Sequence, residues 1–203
     1  MDSIFSFIAE MFGTGFLEIV AVFLGIANII LLIRRSIWNY PFGILMVIIY
    51  GNIFFEHRLY SDSILQIFFF TIQCYGWWYW LKNKDVTGHV IVRKLQHSQY
   101  LTFGALSLAF ALSLGFMMSI NTDADYPFWD STIAALSVVA QILLSRRYLE
   151  NWLVWIVVDA MAIGLFFLKG LTPTAVLYYI FLIMATIGWL KWKSAYHAGV
   201  VVK

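Results

Sequence analysis

Hydrophobic residues fall in seven runs along this chain, approximately 16–33, 38–56, 62–81, 99–119, 129–145, 151–168 and 173–192. Each is near the ~20 mostly apolar residues that a helix needs to cross a bilayer. The breaks between them are chemically marked. Arg34-Arg35 closes the first run and Arg146-Arg147 the fifth. Glu56-His57-Arg58 and Ser61-Asp62 separate the second from the third. The longest polar stretch runs from Lys82 to Gln99; Asn121 to Asp130 holds Asp123, Asp125 and Pro127. Lys169-Gly170 and Pro173 separate the sixth run from the seventh. Ahead of the first run, Ile4, Phe5, Ile8, Met11 and Phe12 share one helical face, which predicts a short interfacial helix. The opening Met-Asp-Ser has no basic stretch and does not read as a cleavable leader.

The pattern occurs twice. Residues 24–82 and 136–194 align without a gap at a constant offset of 112. The identical pairs include Leu31/Leu143, Arg34/Arg146, Arg35/Arg147, Asn39/Asn151, Phe54/Phe166, Gly76/Gly188, Trp77/Trp189 and Trp80/Trp192. The chain therefore reads as one transmembrane domain over 1–203, with 16–82 and 129–193 as three-helix repeats and 99–119 as a linker helix. Three crossings invert a segment, so one extra crossing between two triplets restores the same orientation. The expected fold is all-α, seven membrane helices in a 3+1+3 order with parallel repeats, as in SWEET-type carriers.

Composition agrees. The chain is 62% hydrophobic, 12% charged and 19% aromatic, with a mean hydropathy of +0.83. A soluble domain carries roughly twice that charged fraction. Charge distribution sets an expected topology. With seven crossings, Arg34, Arg35, Lys82, Lys84, Arg93, Lys94, Arg146, Arg147, Lys191, Lys193 and Lys203 gather on one side, and only Arg58 and Lys169 on the other. Basic residues favour the cytoplasmic side, so the C-terminus is expected inside and the N-terminus outside. The single cysteine, Cys74, is expected buried in the third run.

Several chemistries find no support. There is no G-x-x-x-x-G-K-[ST] phosphate loop. Gly13-Thr14-Gly15 lacks the third glycine of a dinucleotide site. The four histidines lie in loops or the tail, so no catalytic or metal cluster forms at membrane depth, and neither a cofactor nor a nucleic-acid partner is expected. What stands out is polar residues inside the runs, which are costly there and mark function. Glu18 lies near the outer end of its run, within reach of water. Asp159 sits eight residues past Asn151, about 12 Å in, with no Lys or Arg within the core of any run to pair with it. Such a carboxylate is protonated, hydrated or paired with a ligand. Trp152, Trp155 and Asp159 are spaced i, i+3, i+7 on one face, a slot suited to a flat cationic ring. Trp152 also suits an interfacial aromatic belt. The first repeat has Tyr40, Gly43 and Val47 there, so only the second has the stripe. Gln66 and Gln73, Tyr178 (the repeat partner of Gln66), Tyr50, Asn52, Asn28 and Gln141 complete the candidate site, although amides and phenols also join helices. Gly76-Trp77-Trp78-Tyr79-Trp80 and Gly188-Trp189-Leu190-Lys191-Trp192 read as cytoplasmic aromatic anchors, and the two arginine pairs as topology determinants.

At these residues the chain resembles the PnuC family of bacterial vitamin transporters. The matching segments are Trp38-Asn39-Tyr40-Pro41-Phe42-Gly43, Leu59-Tyr60-Ser61-Asp62 with Leu65-Gln66, Tyr75-Gly76-Trp77-Trp78, Pro127-Phe128-Trp129-Asp130-Ser131, and Glu150-Asn151-Trp152-Leu153-Val154-Trp155 followed by Asp159. The resemblance implies facilitated diffusion of a vitamin across the inner membrane, trapping by intracellular phosphorylation, and a homotrimer with one pathway per protomer. It implies nicotinamide riboside as first substrate and thiamine as second. Some nicotinamide riboside carriers of the family have Asn where this chain has Asp159; both vitamins are flat aromatic cations that an aspartate suits. A proton-coupled symporter using Asp159 or Glu18 is the mechanistic rival.

The charge asymmetry yields a topology test. A reporter active only in the cytoplasm should function when fused at the C-terminus and fail when inserted at Asp123. The reverse pattern would overturn the seven-crossing reading.

Overall fold

A chain segment that leaves water must satisfy its backbone N–H and C=O groups internally, and a helix does so within one segment. All seven runs are helical in the computed structural model, which describes residues 16–56, 60–83 and 91–201. They are α1 (Phe16–Ile33), α2 (Asn39–Glu56), α3 (Tyr60–Lys82), α4 (His97–Asn121), α5 (Pro127–Ser145), α6 (Asn151–Leu168) and α7 (Thr172–Val201). The expected interfacial helix lies outside the described residues. Five helices, α1 and α4 to α7, are long and apolar enough to cross a membrane. The other two, α2 and α3, carry Tyr50, Asn52, Gln66 and Gln73 within otherwise apolar runs.

The chain forms two compact units, residues 1–90 and 91–203. In the first, α1 packs on α2 and α2 on α3. In the second, α4 packs on α5, α5 on α6 and α6 on α7, so the linker helix folds with the second repeat.

The duplicated residues repeat the same local structure. Each arginine pair closes a helix in a Schellman turn: Arg35 N–H donates to Leu32 O and Ser36 N–H to Leu31 O, both at 2.9 Å. Arg147 to Leu144 and Tyr148 to Leu143 repeat this at 2.9 Å. Arg35 (φ 56°) and Arg147 (φ 66°) take the left-handed position that glycine usually fills, at a cost of about 1 kcal/mol each. The next helix is then pinned by asparagine. Asn39 Nδ2 donates to Ser36 O and Asn151 Nδ2 to Tyr148 O, each at 2.6 Å. The arginine pairs are thus turn residues as well as charges, and Arg147 is buried.

A second duplicated device seats an aromatic ring on a glycine. Tyr40 and Trp152 are repeat partners. Tyr40 meets Trp80 edge to face, with centroids 5.2 Å apart, and Trp152 meets Trp192 likewise at 5.6 Å. A Cβ on Gly76 would lie 2.6 Å from the Tyr40 hydroxyl, and one on Gly188 2.6 Å from the Trp152 ring. Trp80 and Trp192 are fully buried. They are core residues rather than the lipid anchors expected from their position, because their own helix faces carry these glycines. Trp78 of the same motif is exposed, as an anchor should be. Cys74 also differs from expectation: it is exposed, since the buried face of α3 runs through Gln73, Gly76 and Trp80.

Gly188→Ala should therefore displace Trp152 and lower stability by about 1–3 kcal/mol, as overpacking does. Gly104→Ala, where a Cβ meets nothing within 4 Å, should be neutral. Thermal unfolding in detergent checks both; equal stability of the two variants would refute the seat.

Candidate functional site

The first unit contributes Asn28, Tyr50, Asn52, Gln66 and Gln73 to the candidate site. Asn52 and Gln66 line a cavity of about 320 Å³ between α2 and α3, with Val47, Gly51, Ser63 and Phe70 among its walls. Neither amide makes a hydrogen bond among the described residues, whereas Ser63 Oγ donates to Gly51 O at 3.0 Å. One turn or more toward the start of α2, Gly43 makes room for two further amides. A Cβ there would meet the Gln73 side-chain oxygen, and Asn28 Nδ2 at 2.6 Å. Asn28 Nδ2 donates to Asn39 O at 2.7 Å, tying α1 to the start of α2. That bond gives Asn28 a helix-joining role. Gln73 is only 6% exposed and has no hydrogen-bond partner among the described residues. Tyr50 stacks on Phe54 at 5.6 Å and lies in electrostatic reach of Glu18.

The second unit contributes Gln141, Trp152, Trp155, Asp159 and Tyr178. The three α6 residues separate by role. Trp152 is 2% exposed, held between Gly188 and Trp192, with its indole N–H unpartnered. Trp155, one turn on, is half-buried and its indole packs against no other ring. Asp159 is 4% exposed, with neither an ion pair nor a hydrogen bond among the described residues. Tyr178 of α7 lies in electrostatic reach of that carboxylate and stacks on Phe166 at 5.2 Å. Gln141 is half-buried on α5 and makes no hydrogen bond among the described residues. The salt bridge recorded among the described residues is elsewhere, Lys169 to Asp130 at 2.8 Å, from the end of α6 to the start of α5.

Repeat equivalence makes the asymmetry physical. Where the first repeat has Gly43 flanked by Asn28 and Gln73, the second has Trp155, with the buried alanines Ala140 and Ala185 at the flanking positions. Two amides beside a glycine in the first repeat stand where the second has an indole and two alanines. Within the second unit, a buried carboxylate with no hydrogen bond among the described residues and a half-buried indole suit a flat cationic ring. Among the described residues no group of His, Cys, Asp and Glu could hold a metal ion.

Two groups escaped the sequence reasoning. Asn39 and Asn151 were visible as identical repeat partners, which is the signal for their shared capping role. Glu150 had no such signal: its repeat partner is Trp38, which is 65% exposed.

Comparison with known proteins bears on this arrangement. Residues 15–194 match the family described as nicotinamide mononucleotide transporter. The nicotinamide riboside transporter PnuC of Escherichia coli (strain K12) is 30% identical over 210 residues, covering 91% of this chain and 87% of that protein. The riboflavin/roseoflavin transporter RibM of Streptomyces davaonensis is 24% identical, covering 86% of this chain and 83% of its own length. The crystal structure of the vitamin B3 transporter PnuC has the same fold, with a TM-score of 0.76 at 23% identity over 97% of this chain and 88% of that one.

Proposed function

The chain belongs to the nicotinamide mononucleotide transporter family, and on that premise we propose that it carries a flat cationic nucleoside-like vitamin, nicotinamide riboside first, across a bacterial inner membrane. It is a multi-pass membrane protein of a transporter family. The observation that carries the substrate class is Asp159, 4% exposed and without a cation or a hydrogen bond among the described residues. A pyridinium ring stacked on Trp155 supplies the missing charge. Within the same unit, the Gln141 amide and the Tyr178 phenol supply partners for ribose hydroxyls; in the first unit, Tyr50, Asn52, Gln66 and Gln73 are further candidate partners for hydroxyl groups. Asn28 and Trp152 hold the frame through the bond to Asn39 and the seat on Gly188.

The mechanism is facilitated diffusion, with intracellular phosphorylation trapping the vitamin. The chain acts as a homotrimer with one pathway per protomer, N-terminus outside and C-terminus cytoplasmic. Thiamine is the second candidate, because its thiazolium ring offers Asp159 the same charge. A neutral ring system of the kind carried by RibM would leave the carboxylate unpaired. In vesicles of purified protein, nicotinamide riboside should equilibrate without ATP or an imposed gradient. Accumulation above the external concentration, driven by a pH gradient, would establish the proton-coupled alternative.

Calorimetric titration tests the residues. Trp155→Ala should lose about 1–2 kcal/mol of stacking, roughly tenfold or more in affinity. Asp159→Asn keeps shape but removes charge, so it should weaken the cationic vitamin more than a neutral reduced pyridine riboside. Equal losses for the two ligands would mean the aspartate serves only to bond a neighbouring helix.

A further inference from the structure

The residues leading into α6 are held by a clasp with no counterpart at its repeat partner among the described residues. The segment entering α4 runs beside the loop 146–150. Arg93 N–H donates to Arg147 O and Leu149 N–H to Arg93 O, both at 2.8 Å, a parallel bridge of two hydrogen bonds. Gln99 Nε2 donates to the Tyr148 hydroxyl at 3.2 Å. Leu95 joins Val139, Leu143 and Tyr148 in a buried cluster beneath. Glu150 fastens the clasp. Its carboxylate accepts from Leu95 N–H at 3.1 Å and from the Tyr100 hydroxyl at 2.8 Å, one donor on each oxygen.

Glu150 is 5% exposed and has no cation partner among the described residues. A carboxylate buried on two neutral donors is a costly way to join two segments. Leucine at this position would add apolar packing to the cluster without that cost. What the carboxylate adds is direction: two charge-assisted hydrogen bonds fix the position and rotation of the residue preceding Asn151. In a helix this rigid, rotation at residue 150 sets the facing of Trp155 and Asp159, five and nine residues on. In the first repeat, the equivalent Trp38 is exposed, and no such fastening of α2 is present among the described residues.

We infer that Glu150, locked by Tyr100 and Leu95, is a positioning residue that sets the rotation of α6 and so the placement of Trp155 and Asp159 for the ligand. The inference rests on the reading that α6 carries the substrate. It makes α4 a working part of the second repeat rather than a spacer between two halves.

The test compares Tyr100→Phe, which deletes one hydroxyl and keeps the ring, with Glu150→Ala. Affinity for nicotinamide riboside and thiamine is measured by titration of purified protein, beside thermal unfolding. Tyr100→Phe should fold and bind about three- to tenfold more weakly, the share of a lost charge-assisted hydrogen bond that reaches the site. Glu150→Ala should lose more; if it fails to fold, Tyr100→Phe decides alone. In a Trp155→Ala background the Tyr100→Phe penalty should shrink to less than about twofold, since contacting residues couple and independent ones add. A lowered melting temperature with unchanged affinity, or the same penalty in both backgrounds, would overturn the inference and leave Glu150 a structural fastener. Weakened binding by Trp155→Ala with wild-type binding by Tyr100→Phe would overturn this inference alone. Wild-type binding by Trp155→Ala would overturn the site reading and this inference with it.

Discussion

A polar side chain among apolar helices either finds a partner in its own chain or waits for one from outside, because no solvent is there to compensate it. Most polar groups of this protein take the first course. Asn39 and Asn151 bond the turns that precede their helices, and Asn28 bonds Asn39. Small hydroxyls bond the carbonyl one turn back, as Ser137 does to Ile133 at 2.8 Å and Thr186 to Leu182 at 2.8 Å. Against that background, Asp159, Gln66, Gln73, Asn52 and Gln141 are conspicuous for having no hydrogen-bond partner among the described residues. For the buried Asp159 and Gln73, the cost of burial is a reason to look for a ligand that removes it.

The duplication separates scaffold from site. Positions identical in both repeats turn out to shape the backbone: the arginines in left-handed turns, the capping asparagines, the glycines under aromatic rings and the buried tryptophans. Positions that differ carry the proposed chemistry. Gly43 with Asn28 and Gln73 against Trp155 with Ala140 and Ala185 is the clearest case.

Both ends of α6 are tethered within the second unit. Lys169, just beyond the helix, pairs with Asp130 on α5, and Glu150, just before it, accepts from Leu95 and Tyr100. At the start of α2 the equivalent residue is the exposed Trp38, with no such tether among the described residues.

Helix number, helix limits and the duplicated frame were legible in the sequence, because apolar length and a constant offset are properties of the chain read along itself. α1 and α6 begin and end where the hydrophobic runs do, and the others differ by a few residues apart from the longer α7. The candidate polar residues were legible too, since a carboxylate or amide inside an apolar run stands out without any coordinates. The partners of those residues were not legible. Which tryptophan is held in the core and which has free ring area depends on what the next helix presents. Only packing seats Trp152 on Gly188 and Trp192 while leaving Trp155 without a ring contact. Trp80 and Cys74 were misjudged for the same reason: burial on a helix is decided by the neighbour's shape, not by depth in the run. Glu150 is the extreme case. Its two donors lie 55 and 50 residues away in sequence, on a segment whose course toward it only the tertiary structure sets.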